Sequence, residues 1–332
     1  CLSCLQIYLN YINNVGGNYK SIYYIKFNNR GNMNRVIKKL EINNIHNQRI
    51  MGKGITVAVL DSGISKHLDF DNRIIYFKDF VNKRHVVYDD EGHGTHVSGI
   101  IAGSGRMSKG KIMGVAPEAE IVSLKVLDNR GRGKEENVIN GLHWIIDNGK
   151  KYGIRVVNLS FGTLSNDEKA GKKLIDEVEL LWDLGYVVVA AAGNNGPGPN
   201  SISTPGDCKK IITVGAENDN IKVFVNGKYT YNYSGRGPTK QCIIKPDIVA
   251  PANKIISCSN LWQKGYPYIE KSGTSMATPI VTGIVALMLN KKEKLTNVEC
   301  KKILKENAID MSMDKNRQGA GLVNANAILN IL

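Results

Sequence analysis

Ser275 stands in Gly273-Thr-Ser-Met-Ala-Thr-Pro279, directly before the almost uncharged run Ile280-Val-Thr-Gly-Ile-Val-Ala-Leu-Met-Leu289. Gly273 lets the chain turn tightly, and the run behind it is long enough for a buried helix. A serine at such a helix start has free N–H groups and the positive end of the helix dipole beside it, a setting that stabilises a developing oxyanion. Ser and Thr more often serve there simply as caps. Nucleophilic chemistry therefore demands a base and an orienting acid elsewhere in the chain.

One candidate exists for each. Asp61 follows the apolar run Ile55-Thr-Val-Ala-Val-Leu60 and precedes Ser62-Gly63, which puts its carboxylate at the end of a strand. His93 and His96 lie in Gly92-His-Gly-Thr-His-Val-Ser-Gly99, at the start of a small-residue helix. Two histidines three apart also read as a metal pair. The zinc-protease signature, however, has a four-residue step with an intervening Glu, and Gly94 and Thr95 fill the gap here, so no metal ligand is assigned. Asn194, in Ala190-Ala-Ala-Gly-Asn-Asn-Gly196, has a side-chain amide able to donate to an oxyanion, besides the tolerance of left-handed backbone that brings Asn to turns.

These residues need a scaffold that gathers them. Residues 55–60, 121–127, 156–160, 187–192 and 211–215 are β-branched apolar runs of the kind that form parallel strands covered on both faces. Helical stretches over 95–102, 135–149 and 169–184 alternate with them, which predicts a three-layer, doubly wound α/β fold with a mostly parallel central sheet. In such sheets function gathers beyond the carboxyl ends of the strands. Residues 221–231 alternate with period two around Asn226-Gly227, a strong hairpin signal. A surface helix over 296–307 and a short final helix close the chain. Residues 1–50 differ in character, with an imperfect amphipathic pattern over 2–12, a strand over 21–27 and a short helix over 36–40. They are expected to be an N-terminal extension or part of a pro-segment, with the catalytic domain over 51–332.

At 332 residues and 42% hydrophobic, the chain is globular and able to bury a sizeable core. The formal charge of +14 raises nucleic acid as a partner, but the lysines are dispersed and never interleaved with aromatics, so a solvated surface is the better reading. No apolar run reaches membrane-span length. No charged-then-apolar-then-small pattern opens the chain, which leans towards a cytoplasmic site while leaving export open, since Cys1 stands where Met would. The six cysteines are expected to be free thiols, and Cys1 and Cys4 form only half of a zinc motif.

Taken together, Asp-Ser-Gly at 61–63, His-Gly-Thr-His-Val-Ser-Gly at 93–99, Ala-Ala-Gly-Asn at 191–194 and Gly-Thr-Ser-Met-Ala-Thr-Pro at 273–279 resemble the four signature blocks of the subtilisin-like serine proteases. The chain order Asp, His, Ser is that of subtilisin. Gly114–Pro117, 158–162, 234–238, 245–251 and 318–325 are similar to further family segments, so the resemblance spans about residues 52–330. It implies a serine endopeptidase with Ser275 as nucleophile, His93 as base, Asp61 as its orienting acid, and Asn194 with the Ser275 N–H as oxyanion donors. It also implies that a polypeptide substrate lies as an added strand between Gly131-Arg132-Gly133 and Ser160-Phe161-Gly162, with Ala191, Ala192 and Gly193 lining a primary pocket roomy enough for a sizeable side chain. No cofactor is implied for the chemistry. Structural calcium is common in the family, and Asp69, Asp71 and Asp79 are the acidic candidates for it, none of them assigned. An inhibitory pro-segment is a further implied partner.

Departures from the family pattern concern the surroundings. Ala252-Asn253 follows Pro251 where Gly is usual, residues 231–234 follow a hairpin that reads as inserted, and 261–270, with Trp262, Tyr266 and Tyr268, reads as a longer loop. Either insertion is placed to narrow the cleft. Two alternatives to a general protease stand beside the main reading: a processing protease dedicated to one client, and a non-catalytic binding scaffold. The intact Asp61, His93, Asn194 and Ser275 argue against the scaffold.

Overall fold

Seven parallel strands form the central sheet of the computed structural model, which describes residues 33–163, 168–225 and 227–332. In chain order the strands of this sheet are β1 (Thr56–Asp61), β2 (Ile74–Asp79), β3 (Glu120–Lys125), β4 (Ile154–Leu159), β5 (Val187–Ala191), β6 (Ile212–Ala216) and β9 (Ile248–Ala250), arranged β2-β3-β1-β4-β5-β6-β9. Every residue of β1 and β5 is buried, as their unbroken apolar runs require when helices cover both faces. The sequence reading places five of these strands within a residue or two of their observed bounds. It does not find β2, an edge strand whose residues are mostly half-buried, so no clean apolar run marks it, nor β9 at the other edge, whose three residues are too short a run to stand out.

Helices α3 (His93–Ala102) and α6 (Thr274–Lys291) pack on each other, α3 also on β1 and β3, and α6 on β4, β5, β6 and β9. Helices α4 (Glu135–Asn148) and α5 (Glu168–Asp183) pack together and against β1 and β5, completing three layers. Helix α6 is apolar all round and buried from Met276 to Leu289, the pattern of a helix enclosed by the core. The chain ends with α7 (Asn297–Glu306), which carries a capping box between Thr296 and Glu299, then α8 (Lys315–Gln318) and α9 (Ala325–Asn330).

Ahead of the sheet, α1 (Met33–Lys39) and α2 (Ile42–His46) bury Met33, Val36, Ile37, Ile42 and Ile45 in the same core, against β10 (Ile255–Cys258) and α9. The expected helix over 36–40 thus begins three residues earlier. The expectations for residues 2–12 and 21–27, and the Cys1/Cys4 pair, lie outside the described residues. Cys208, Cys242, Cys258 and Cys300 are free thiols.

Both insertions flagged above are ordered pairs of strands. β7 (Val223–Val225) and β8 (Lys228–Thr230) form the antiparallel hairpin, and β10 pairs antiparallel with β11 (Tyr268–Lys271). In the second, Trp262 and Tyr268 pack round the buried His67 and do not line the cleft that holds Ser275, with Trp262 Nε1 donating to Ser65 Oγ at 3.1 Å. Only the β11 end, Ile269 to Lys271, reaches the cleft. No described helix is long and apolar enough to cross a membrane.

Candidate active site

Asp61 is the last residue of β1, and its buried carboxylate faces the first turn of α3. His93 Nδ1 lies 2.8 Å from Asp61 Oδ1 and 3.0 Å from Oδ2. Because a carboxylate only accepts, Nδ1 carries the proton and Nε2 is left as the basic nitrogen. The backbone N–H of Ser62 also donates to Asp61 Oδ1, at 2.7 Å, so the carboxylate is held from two directions. Burial drives the His93 pKa down, but the charge and hydrogen bond of Asp61, helped by Glu91 and opposed by Lys271, more than reverse this, and the net shift is upward.

Helix α3 can approach Asp61 this closely because Gly94 has no side chain: a Cβ there would lie 2.1 Å from the carbonyl oxygen of Gly63. The helix start is held by Asp89, which the sequence reading does not single out. Its buried carboxylate accepts from the N–H of Gly92 (2.8 Å) and Thr95 (2.9 Å) and from the hydroxyls of Ser62 (2.9 Å) and Thr95 (2.6 Å). An Asp four residues before a histidine that opens a helix is the available signal, an N-terminal cap in all but its spacing. Lys125 at the end of β3 is a second such residue. Fully buried, it donates to the carbonyls of Ser62 and Leu127 and to Asp90, tying the turn after Asp61 to the next loop.

Asp89→Ala leaves several of these donors unpaired and loosens the mount of His93. We expect a stability loss of about 2–3 kcal/mol, read from the denaturant midpoint, and a kcat at least tenfold lower. An unchanged midpoint with normal kcat would show that the helix start holds itself.

His96 faces the other way. Its Nε2 donates to the carbonyls of Ile255 and Ile269, both at 3.0 Å, and burial, together with Lys271 and His93, pushes its pKa down to about 3. The two histidines therefore serve different neighbours and do not converge as a metal pair would.

Ser275 lies in the first turn of α6. Asn194 Oδ1 accepts from the N–H and the hydroxyl of Thr274, both at 3.0 Å, so its Nδ2 is turned to the other side, next to Gly273. The N–H of Met276 goes to the Gly273 carbonyl at 2.9 Å, and the N–H of Gly273 to Ala252 at 3.0 Å. Among the described residues no partner takes the N–H of Ser275. Pro279 has no N–H, so the Ser275 carbonyl lacks its usual i+4 donor. His93, Asn194 and Ser275 line one cleft of about 1140 Å³. His93 and Ser275 form no direct hydrogen bond among the described residues, as is common before substrate closes the gap.

Of the expected substrate-binding residues, Gly131, Ser160, Phe161, Gly162, Ala191 and Gly193 line this cleft. Arg132, Gly133 and Ala192 do not: Arg132 sits 3.6 Å from Asp128, Gly133 bridges Leu127, and Ala192 is buried behind the wall with its N–H on Val214. Asn158 ties Ser160 to α6, donating to Ser160 Oγ and accepting from Thr282. The departure at Asn253 also has its explanation. The side chain is buried, accepting from the Tyr233 hydroxyl and donating to the Asn218 carbonyl, so it anchors the base of the β7–β8 hairpin.

The three acidic calcium candidates each have protein partners. Asp69 accepts from the Met107 N–H and the hydroxyl of Tyr268, Asp71 pairs with Arg106, and Asp79 accepts from the N–H groups of Val81 and Asn82 and the Tyr88 hydroxyl. Among the described residues the single close group of metal-type ligands is His67, Asp69 and Cys258, which neither Asp71 nor Asp79 joins. His67 Nδ1 there accepts from the Asp69 N–H while Nε2 donates to the Pro267 carbonyl.

Residues 52–321 match the subtilase family. The chain belongs to it. Serine protease AprX of Bacillus subtilis (strain 168) is 42% identical over 295 residues, covering 84% of this chain and 66% of AprX. Subtilisin Savinase of Lederbergia lenta is 37% identical over 291 residues, covering 88% of this chain and 96% of Savinase. Among solved structures, Sphericase superposes with a TM-score of 0.69 at 29% identity, covering 82% of this chain and 91% of its own. A cold-adapted subtilisin-like serine proteinase does so with a TM-score of 0.65 at 30% identity, covering 82% and 88%. This subtilase is thus, by family, a hydrolase of the serine-protease kind, and its sheet and flanking helices are those of the subtilisin-like fold.

Proposed function

We propose that this subtilase is a serine endopeptidase working through an acyl-enzyme. Ser275 Oγ attacks the scissile carbonyl carbon and passes its proton to His93 Nε2, while the carbonyl electrons move to oxygen. Asn194 Nδ2 and the Ser275 N–H receive that oxyanion. Collapse of the intermediate breaks the C–N bond, and His93 returns its proton to the leaving amine. Water then repeats the sequence on the ester and frees Ser275. Asp61 holds His93 in the required tautomer and stabilises its charged form. Each proton is carried by His93, so the chemistry calls for no cofactor. The acyl half of the substrate lies between Gly131 and Ser160-Phe161-Gly162, with Ala191 and Gly193 around its terminal side chain. The Asp61–His93 bond opening onto the cleft that holds Ser275 and Asn194 carries this reading.

Its test is the pH dependence of labelling by a fluorophosphonate. Only neutral His93 can take the serine proton, and its pKa is raised, so the labelling rate should climb with pH through a midpoint above the ordinary imidazole value of about 6.5. The same upward shift stabilises the native state at pH below that ordinary value, a contribution lost as pH rises through the folded value. Absence of labelling at any pH, or a midpoint below 6, would end the proposal.

A further inference from the structure

The β7–β8 hairpin stands over the cleft, and strand alternation decides what it shows. Val223 and Val225 point inward and are buried in the core. Phe224, between them, is 56% exposed, and Tyr229, its partner across the ladder, is 68% exposed. Their rings meet edge to face with centroids 5.3 Å apart, and both line the same cleft as Ser275. Two large aromatics held out to water by a two-stranded ribbon lose apolar contact unless something covers them.

Their place follows from the chain that leaves the hairpin. The N–H of Gly196 donates to the Tyr233 carbonyl and the N–H of Gly235 to Gly193, both at 2.8 Å, so the hairpin is fastened to the turn carrying Asn194. Gly162 packs near Ser203, whose own N–H goes to Ala192. The acyl-side strand and the hairpin are thus fastened to the Asn194 turn through different contacts, Ser203 for the first and the Gly193 carbonyl and Gly196 N–H for the second. A peptide whose acyl half lies along Ser160–Gly162 must send its other half past Ser275 towards the remaining wall, made of the hairpin, Lys254 and the end of β11.

We propose that Phe224 and Tyr229 form a specificity subsite for the leaving-group half of the substrate, selecting an apolar or aromatic side chain within the first few residues after the cleaved bond. This rests on the endopeptidase reading above. Neither residue touches the reacting atoms. The Val223/Val225 anchors and the Tyr233–Asn253 bond keep the pair aimed at the cleft rather than folded onto the surface.

The test compares internally quenched peptides with one shared acyl side and either Phe or Ala at the first two leaving-side positions. A nitroanilide with the same acyl side, which has no leaving-side residues, serves as control. The wild type should cleave the Phe peptide with a kcat/KM about tenfold above that of the Ala peptide. In Phe224→Ser/Tyr229→Ser that ratio should fall to about twofold or less, while the nitroanilide rate stays within about twofold of wild type. Phe224→Tyr should keep the discrimination. A purely structural pair would lower the melting temperature and leave the ratio intact, which overturns the subsite. A preference for acidic residues instead would assign the wall to Lys222 and Lys254, overturning it equally. Intact nitroanilide hydrolysis with an unchanged ratio rejects the subsite alone, whereas no hydrolysis of any substrate rejects the endopeptidase reading with it.

Discussion

Ser275→Ala is expected to yield a folded protein whose kcat for peptide hydrolysis is down about 10⁶-fold, a figure carried over from the corresponding serine of subtilisin. Folding should survive because the hydroxyl of Ser275 takes no part in the bonds that hold the turn: Thr274 is pinned by Asn194, Gly273 by Ala252 and Met276 by Gly273. Alanine also suits the start of a helix that is already apolar on every side. The melting temperature should therefore move by about 2 °C or less. Fluorophosphonate labelling should vanish outright, since it needs the oxygen itself. What persists is the contribution of the oxyanion donors, Asn194 Nδ2 and the backbone N–H of residue 275, which alanine retains. Steady-state kinetics on a fluorogenic peptide, with calorimetry on the same preparation, checks all three. A variant that keeps more than about a hundredth of wild-type kcat would mean that another group is the nucleophile.

The residues gathered at the cleft are the most legible, because each sits in a short block whose glycines are there for geometric reasons. Gly94 permits the closest approach of α3 to the Asp61 turn, and Gly273, at φ +138°, turns the chain into α6. The parallel strands were legible for a different reason, namely burial on both faces, and the failure at β2 is the converse, since an edge strand has no such pattern. Asp89 and Lys125 were not legible. Nothing in a sequence says that a carboxylate between Tyr88 and Asp90 will accept from donors on three segments, or that a lysine at a strand end will be fully buried beneath the Asp61 turn. Those facts depend on which loops share the carboxyl edge of the sheet. The aromatic stretch over 261–270 suggests a cleft wall because it precedes Ser275, yet β10–β11 pairing turns Trp262 and Tyr268 onto His67. Asn226-Gly227 marks the hairpin, and its alternation already contains the outward Phe224, but only the fold shows that outward means towards the cleft of Ser275.

Asp61→Asn should lower kcat about 10⁴-fold with KM nearly unchanged, the scale seen when a triad Asp becomes Asn in other serine proteases. The physical cause is local. The Ser62 N–H donates to Oδ1, so the amide oxygen of an Asn stays at that position, 2.8 Å from His93 Nδ1, and its NH₂ falls where Oδ2 stood, 3.0 Å from the same nitrogen. Nδ1–H then meets one neutral acceptor and one donor in place of two anionic oxygens. The preference for a proton on Nδ1 weakens, and the tautomer with its proton on Nε2, which has no lone pair for the serine proton, gains population. In both tautomers the carboxylate charge that stabilises the imidazolium is gone. Asp61 supplies the largest upward influence on His93, so the imidazole pKa should drop, and the pH midpoint of the residual activity with it. This separates a positioning and charge role from a structural one: a merely structural Asp61 would lower the melting temperature and leave the midpoint where it was. The combination of a 10⁴-fold loss and a downward midpoint is specific to an imidazole deprived of its anion. A variant within tenfold of wild type would show that His93 holds its tautomer without Asp61.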